Sequence, residues 1–218
     1  MAAEMKAIDS RSFGIPHRKL HSIDLPTGGG CSFGLIGSTR SGKSTAMIWL
    51  WEHYFSRHTT IMTTGSIQAD IYGPLRKNCA ISPEFYPELI KESMMLNQKT
   101  GNHYPILHIL DDMLDGKNTK ALSKLLTIGR NQSHSTIICA QELTILNAIG
   151  RTNLNYILCF RLNSDTAVEK VVRNWLRHIL PGKTIEDKCA MYKLLTQDHH
   201  FIVVDTLADE YFHCKLDI

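Results

Sequence analysis

The residues Gly37-Ser38-Thr39-Arg40-Ser41-Gly42-Lys43-Ser44 match the spacing G-x-x-x-x-G-K-S/T at every defined position. Each residue type has a task at that spacing. The glycines let backbone N–H groups turn inward onto phosphate oxygens, and a helix starting near Lys43 presents the positive end of its dipole. Lys43 is placed to reach β- and γ-phosphates, and the Ser44 hydroxyl to ligate Mg²⁺. Gly37 to Thr45 are therefore the candidate nucleotide-binding residues. A Gly-rich turn would need neither the apolar run before this stretch nor the helical pattern after it. The stretch predicts a nucleoside-triphosphate site.

Two further pieces belong to the same chemistry. The run "ILHILDD" ends in Asp111 and Asp112. A carboxylate at the tip of a strand beside the phosphate strand can hold the Mg²⁺ shell, and the next can orient and deprotonate an attacking water. This assigns Asp111 to the metal and Asp112 to the base, although Asp at a strand end also serves turns and helix caps. Gln141 closes "GRNQSHSTIICAQ". If its strand threads between the phosphate-loop strand and the acidic strand, its amide faces the γ-phosphate and can report hydrolysis. No Asn is followed by Lys, as a base-reading GTPase motif would need, and no Asp precedes Arg, as the commonest nucleotide kinases would show. The set suits a hydrolase that couples ATP to motion.

Strands must carry these tips. Short, nearly apolar runs at 31–37, 59–64, 105–111, 135–141 and 155–162 read as parallel strands covered on both faces. Helical patterns fall at 43–58, 83–98, 119–131, 143–148, 164–179 and 185–196. The alternation predicts an α/β three-layer sandwich with right-handed crossovers. The tail 200–216 reads as an antiparallel hairpin turning at "LADE". Residues 1–30 end in "PTGGG" and read as an arm or edge strand, leaving 31–218 as a single phosphate-loop domain.

The 218 residues carry a net charge of +3, which permits nucleic acid as a partner without demanding it. The six cysteines form no C-x-x-C pair, and several sit in apolar runs, so buried free thiols are expected. The pair His199–His200 lacks neighbouring ligands and reads as a strand edge, not a metal site. No stretch reads as a signal peptide or reaches the ~20 apolar residues of a membrane-spanning helix, so a soluble intracellular protein is expected.

The order GSTRSGKST, ILDD and then GR, with Gln141 eleven residues after Arg130, resembles the FtsK–HerA superfamily of DNA-pumping ATPases. Within it, the chain is similar to the genome-packaging ATPases of poxviruses and of icosahedral viruses with internal membranes. The segment "AIGRTNLNYILCFRL" (148–162), with Arg151 and Asn153, resembles the next stretch of chain in that group. Asn131 stands where viral members often carry His, and the second acid is Asp rather than Glu.

The resemblance implies a RecA/FtsK-like P-loop NTPase fold with an additional strand, and ATP and Mg²⁺ as ligands. It implies a ring of five or six copies that threads double-stranded DNA into a preformed capsid. Capsid or membrane-vertex proteins would be partners, and the virion and host cytoplasm the location. An arginine donated between subunits is implied too, with Arg130 and Arg151 the first candidates and Arg161 the next. Lys117, Lys120, Lys124, Arg76 and Lys77 are candidate DNA contacts. An ATP-gated assembly factor and a small-molecule or nucleotide kinase are the alternatives.

Overall fold

One sheet gathers the apolar runs, and its strand order decides which chain segments meet. The computed structural model describes residues 9–27, 29–112, 119–142 and 146–216. The strands are β1 (Ser32–Ile36), β2 (Thr59–Thr64), β3 (Ala80–Ser82), β4 (Ile106–Asp111), β5 (His134–Ala140), β6 (Tyr156–Cys159), β7 (His200–Asp205) and β8 (Glu210–Lys215). They lie in the order β3-β2-β4-β5-β1-β6-β7-β8. Pairing is parallel from β3 through β6 and antiparallel for β7 and β8. β5 thus lies between β4 and β1, the threading that the role of Gln141 requires. Every residue of β1, β4, β5 and β6 is buried, which is why these runs lack polar alternation.

The helices are α1 (Lys43–Leu50), α2 (Gly73–Asn78), α3 (Pro87–Lys99), α4 (Thr119–Ile128), α5 (Ala148–Thr152), α6 (Asp165–Val171) and α7 (Ile185–Leu195). Side chains alternate across each strand, so the sheet feeds two cores. Phe33, Leu35, Ile109 and Ile137 pack with Ala46, Met47 and Leu50 of α1 on one face. Ile36, Leu110, Ile138 and Ile157 pack with Leu122 and Leu126 of α4 and Val168 of α6 on the other. The result is the expected three-layer sandwich.

Several boundaries differ from those the sequence pattern predicts. β3 has no counterpart among the predicted strands, because three residues at a sheet edge carry no periodic signal. α3 starts at Pro87 and not at residue 83, since proline's fixed φ suits the first helical turn. The helix expected over 143–148 instead begins at Ala148. Asn147 is extended (φ −62°, ψ 170°) and its side chain accepts from the Gly150 N–H at 2.8 Å, which makes it the cap. Residues 143–145 lie outside the described residues. α1 and α6 each run on into a π turn, Trp51–Phe55 and Val172–Leu176, and α4 into a 3-10 turn, Gly129–Gln132.

The ends of the chain are tied together. Pro16 O accepts from His213 N at 2.7 Å and His213 O accepts from Arg18 N at 3.0 Å, which covers the outer edge of β8 locally. In the hairpin turn, Asp205 Oδ1 accepts from the N–H groups of Leu207 (2.9 Å) and Ala208 (3.1 Å). Of the cysteines, Cys31, Cys139 and Cys159 are buried free thiols, and Cys214 is buried as well. Among the described residues no helix is long and apolar enough to cross a membrane.

A buried histidine pair crosses β4 and β5. His108 Nε2 lies 3.0 Å from His134 Nδ1, with the rings stacked. Burial, aided by His134, pushes His108 down to about 3, and burial pushes His134 down to about 4. Both are therefore neutral in the fold, whereas in the unfolded chain they take up protons near pH 6.5. Below that pH the unfolded state binds more protons, so stability falls as pH drops toward the folded values. At pH 5, His108 alone should cost about 2 kcal/mol relative to pH 7. Urea midpoints between pH 7.5 and 5 should fall accordingly, and His108→Gln should flatten the slope; an unchanged slope would contradict this account.

Candidate active site

The phosphate loop leaves β1 between two strand ends that hold it by the backbone. Gly37 N donates to Ala140 O at 3.2 Å, and Ser38 N donates to Arg161 O at 2.9 Å. Asn163 N donates to Ser38 Oγ at 2.9 Å. A Cβ at Gly37 would stand 2.5 Å from Ser41 Oγ and 2.6 Å from Phe160 Cβ, so only glycine fits. Gly42 caps α1 with φ 104°, a left-handed conformation suited to glycine, and contributes no side-chain cap. The first-turn N–H groups of α1 therefore face outward without a side-chain acceptor.

Three features of this cradle fit a phosphate chain. Ser41 Oγ is buried without a hydrogen-bond partner. Lys43, only 5% exposed, donates to Gly37 O at 2.7 Å and Ser38 O at 3.0 Å, so its ammonium is held by the loop itself. The helix end supplies dipole and donors.

Asp111 lies at the end of β4, 3% exposed, opposite Thr64 of β2 and Cys139 of β5. Burial raises its carboxyl above the ordinary value; the Tyr72 hydroxyl and the Lys43 ammonium act the other way, and Asp112 adds to the rise. Tyr72, buried just before α2, donates its O–H to Asp111 Oδ2. Ser44 and Thr64 neighbour the same hydroxyl, which places both predicted metal ligands, Ser44 and Asp111, beside Tyr72. A hydroxyl and a carboxylate meeting beside the helix start fit a Mg²⁺ shell.

Asp112 is exposed, with φ 52°, and its N–H donates to Cys139 O at 3.0 Å. Gln141 follows β5 and is exposed at the same end of the sheet. The acid pair, Gln141 and the phosphate loop thus occupy three adjacent strand ends. Tyr72 is a site residue that sequence reasoning misses. It sits in a polar connection without periodicity, and only the fold brings it to β4.

Two of the candidate arginines, Arg130 and Arg151, sit elsewhere. Arg130 O accepts from Gly30 N at 2.8 Å, before β1 begins. β1 then carries the chain about 16 Å to the phosphate loop, so Arg130 stands at the opposite end of the sheet. It lines an open cavity there with Gly29, Asn131 and Asn155. Arg151, on α5, donates through Nη1 to Leu146 O at 2.5 Å. Arg161 adjoins the phosphate loop through its backbone. Lys120, Lys124, Arg76 and Lys77 are exposed, and Arg76 donates to Ile67 O and Ala69 O at 2.9 and 3.0 Å. Lys117 lies outside the described residues.

A phosphate loop at the end of a central strand, with an extra strand separating it from the acidic strand, defines a P-loop NTPase fold. Residues 84–214 match the family model described as Poxvirus A32 protein, more than half of the chain, and the protein belongs to that family. The genome packaging NTPase B204 from Sulfolobus turreted icosahedral virus 2, in complex with AMPPCP, superposes with a TM-score of 0.61 at 17% identity. That likeness covers 86% of this chain and 98% of that one. The pCW3 conjugation coupling protein TcpA gives 0.63 at 14% identity over 85% of this chain and 59% of its own. EssC from Geobacillus thermodenitrificans gives 0.58 at 14% over 85% of this chain and 39% of its own. At these identities the likeness establishes the fold. No curated protein matches the chain.

The Tyr72–Asp111 contact separates structural from metal roles. Tyr72→Phe leaves a buried carboxylate without its donor and should cost about 1–3 kcal/mol of stability. Asp111→Asn keeps an acceptor for Tyr72 and should cost less, while removing Mg²⁺-dependent nucleotide binding. Denaturant melts beside titrations with and without Mg²⁺ would show this split; an Asp111→Asn variant that binds Mg-nucleotide normally would remove Asp111 from the metal site.

Proposed function

We propose that the protein is an ATPase that drives double-stranded DNA into a preformed viral capsid. The observation that carries this reading is the meeting of the phosphate loop, Asp111–Asp112 and Gln141 on the adjacent ends of β1, β4 and β5. Membership of the Poxvirus A32 protein family and the likeness to a packaging NTPase support the same trade.

The residues divide the work. Gly37 to Thr45 cradle the phosphates, and Lys43 exchanges its loop carbonyls for phosphate oxygens. Ser44 and Asp111 would hold Mg²⁺, which spreads the negative charge of the phosphates when bound. Asp112, exposed beside Asp111, orients the attacking water and takes its proton. Gln141 touches the γ-phosphate and passes its loss to the loop after β5.

Arg130 cannot serve the developing charge in its own subunit, because it faces the other pole. In a head-to-tail ring that pole meets the next subunit's phosphate loop, so Arg130 serves its neighbour's ATP, with Arg151 the next candidate. Five or six copies would close such a ring. Exposed Lys120, Lys124 and Lys77 would hold DNA by its phosphates without reading sequence, which suits a pump that must release at every step. Assembly at a capsid or membrane vertex, in the host cytoplasm and then the virion, follows from this role.

ATP hydrolysis by purified protein should rise on adding long double-stranded DNA. Lys43→Ala should lose nucleotide binding. Asp112→Asn should bind Mg-ATP yet turn over at least about 100-fold more slowly. Gln141→Ala should bind ATP but ignore DNA. Steady hydrolysis indifferent to DNA would overturn the motor in favour of an ATP-gated assembly factor, and a response to small acceptors would point to a kinase.

A further inference from the structure

The connection between β2 and β3 is stitched into one unit that starts beside the acidic strand. Thr64, the last residue of β2, pairs with Asp111, and its hydroxyl accepts the Ser66 N–H at 3.2 Å. Ala69 N donates to Ser66 O at 2.9 Å, and Tyr72 N donates to Ala69 O at 3.1 Å. The exposed Arg76 fastens the far side, donating through Nη1 to Ile67 O at 2.9 Å and Ala69 O at 3.0 Å. Ala69 O thus receives both the Tyr72 N–H and the Arg76 guanidinium.

Tyr72 and Leu75 are the buried residues of this segment, and both belong to the core that α1 covers. The Tyr72 ring anchors the connection there, while its hydroxyl donates to Asp111 Oδ2. A carboxylate has a second oxygen with lone pairs of its own, so Oδ2 can stay on Tyr72 while Oδ1 takes a cation. A donor fixed on one oxygen sets the direction of the other. Ser44 neighbours the same hydroxyl, so both predicted ligands lie around this one side chain.

We propose that Tyr72 is a positioning residue for the metal: its hydroxyl aims Asp111 at Mg²⁺, and the 65–79 connection, fastened by Arg76, responds when the ion binds. The inference rests on the Mg²⁺–nucleotide reading above and adds the residue that ties that ion to the protein surface. Metal occupancy at a buried carboxylate then reaches an exposed arginine through Tyr72 and the Ala69 carbonyl.

The test is calorimetry of AMPPCP binding to the full chain with and without Mg²⁺; the gain in affinity on adding the ion is the readout. Tyr72→Phe keeps the ring in the core and removes only the hydroxyl. It should cut that gain about tenfold or more, the usual effect of losing a partner of a metal ligand, and leave metal-free AMPPCP binding unchanged. Arg76→Ala should also cut the gain, although deleting a positive charge would by itself favour a cation. In the wild type, hydrogen exchange at the Ala69 and Tyr72 amides should slow when Mg²⁺ joins the bound AMPPCP, a readout that needs no variant. An unchanged gain in Tyr72→Phe, or equal weakening with and without the ion, overturns the positioning role. Exchange indifferent to Mg²⁺, or an unchanged gain in Arg76→Ala, overturns the link to the connection. An Asp111→Asn variant that keeps the full gain overturns the metal reading itself and this inference with it.

Discussion

The close approach of Gly37 to its neighbours is the constraint on which the site depends. With no side chain there, the loop passes within contact of Ser41 and Phe160 while its N–H groups bond Ala140 and Arg161. These two bonds set the loop between the ends of β5 and β6, just before Gln141 on one side and at Arg161 on the other. α1 then starts uncapped, with Lys43 turned back on the loop. A phosphate chain offers the oxygens that would complete Ser41, Lys43 and the helix end together.

A parallel sheet separates its two ends by the length of its strands, and this chain uses both. The acids, Gln141 and the phosphate loop crowd one pole; Arg130 anchors Gly30 at the other. No rotamer of Arg130 can span β1, whereas head-to-tail packing would bring it to a neighbouring loop. Such an arrangement would make turnover a property of the assembly. It also explains how a chain with a net charge of only +3 could grip DNA, because weak contacts would be summed around a ring.

Legibility in the sequence tracks locality. The phosphate loop is a continuous stretch with strict glycine requirements, so spacing alone names its residues. Buried strands such as "ILHILD" announce themselves by apolar runs, and the threading of β5 beside β1 agrees with the place that its apolar run and terminal amide suggest for Gln141. Tyr72 cannot be found that way, because its meeting with Asp111 depends on a crossover between β2 and β4. The three-residue β3 lies below any periodic signal. At residues 146–147 the expected helix is absent because Asn147 caps the helix that begins at Ala148.

The measurement that bears most directly on a site completed between subunits is hydrolysis by mixed variants. Arg130→Ala retains its own phosphate loop but lacks the arginine, and Lys43→Ala retains the arginine but lacks the loop. Each alone should be inactive with DNA present, and mixing them should restore a fraction of wild-type turnover, because some interfaces pair an intact loop with an intact Arg130. Mixtures no more active than the separate variants, or an Arg130→Ala protein that hydrolyses ATP at the wild-type rate, would contradict it.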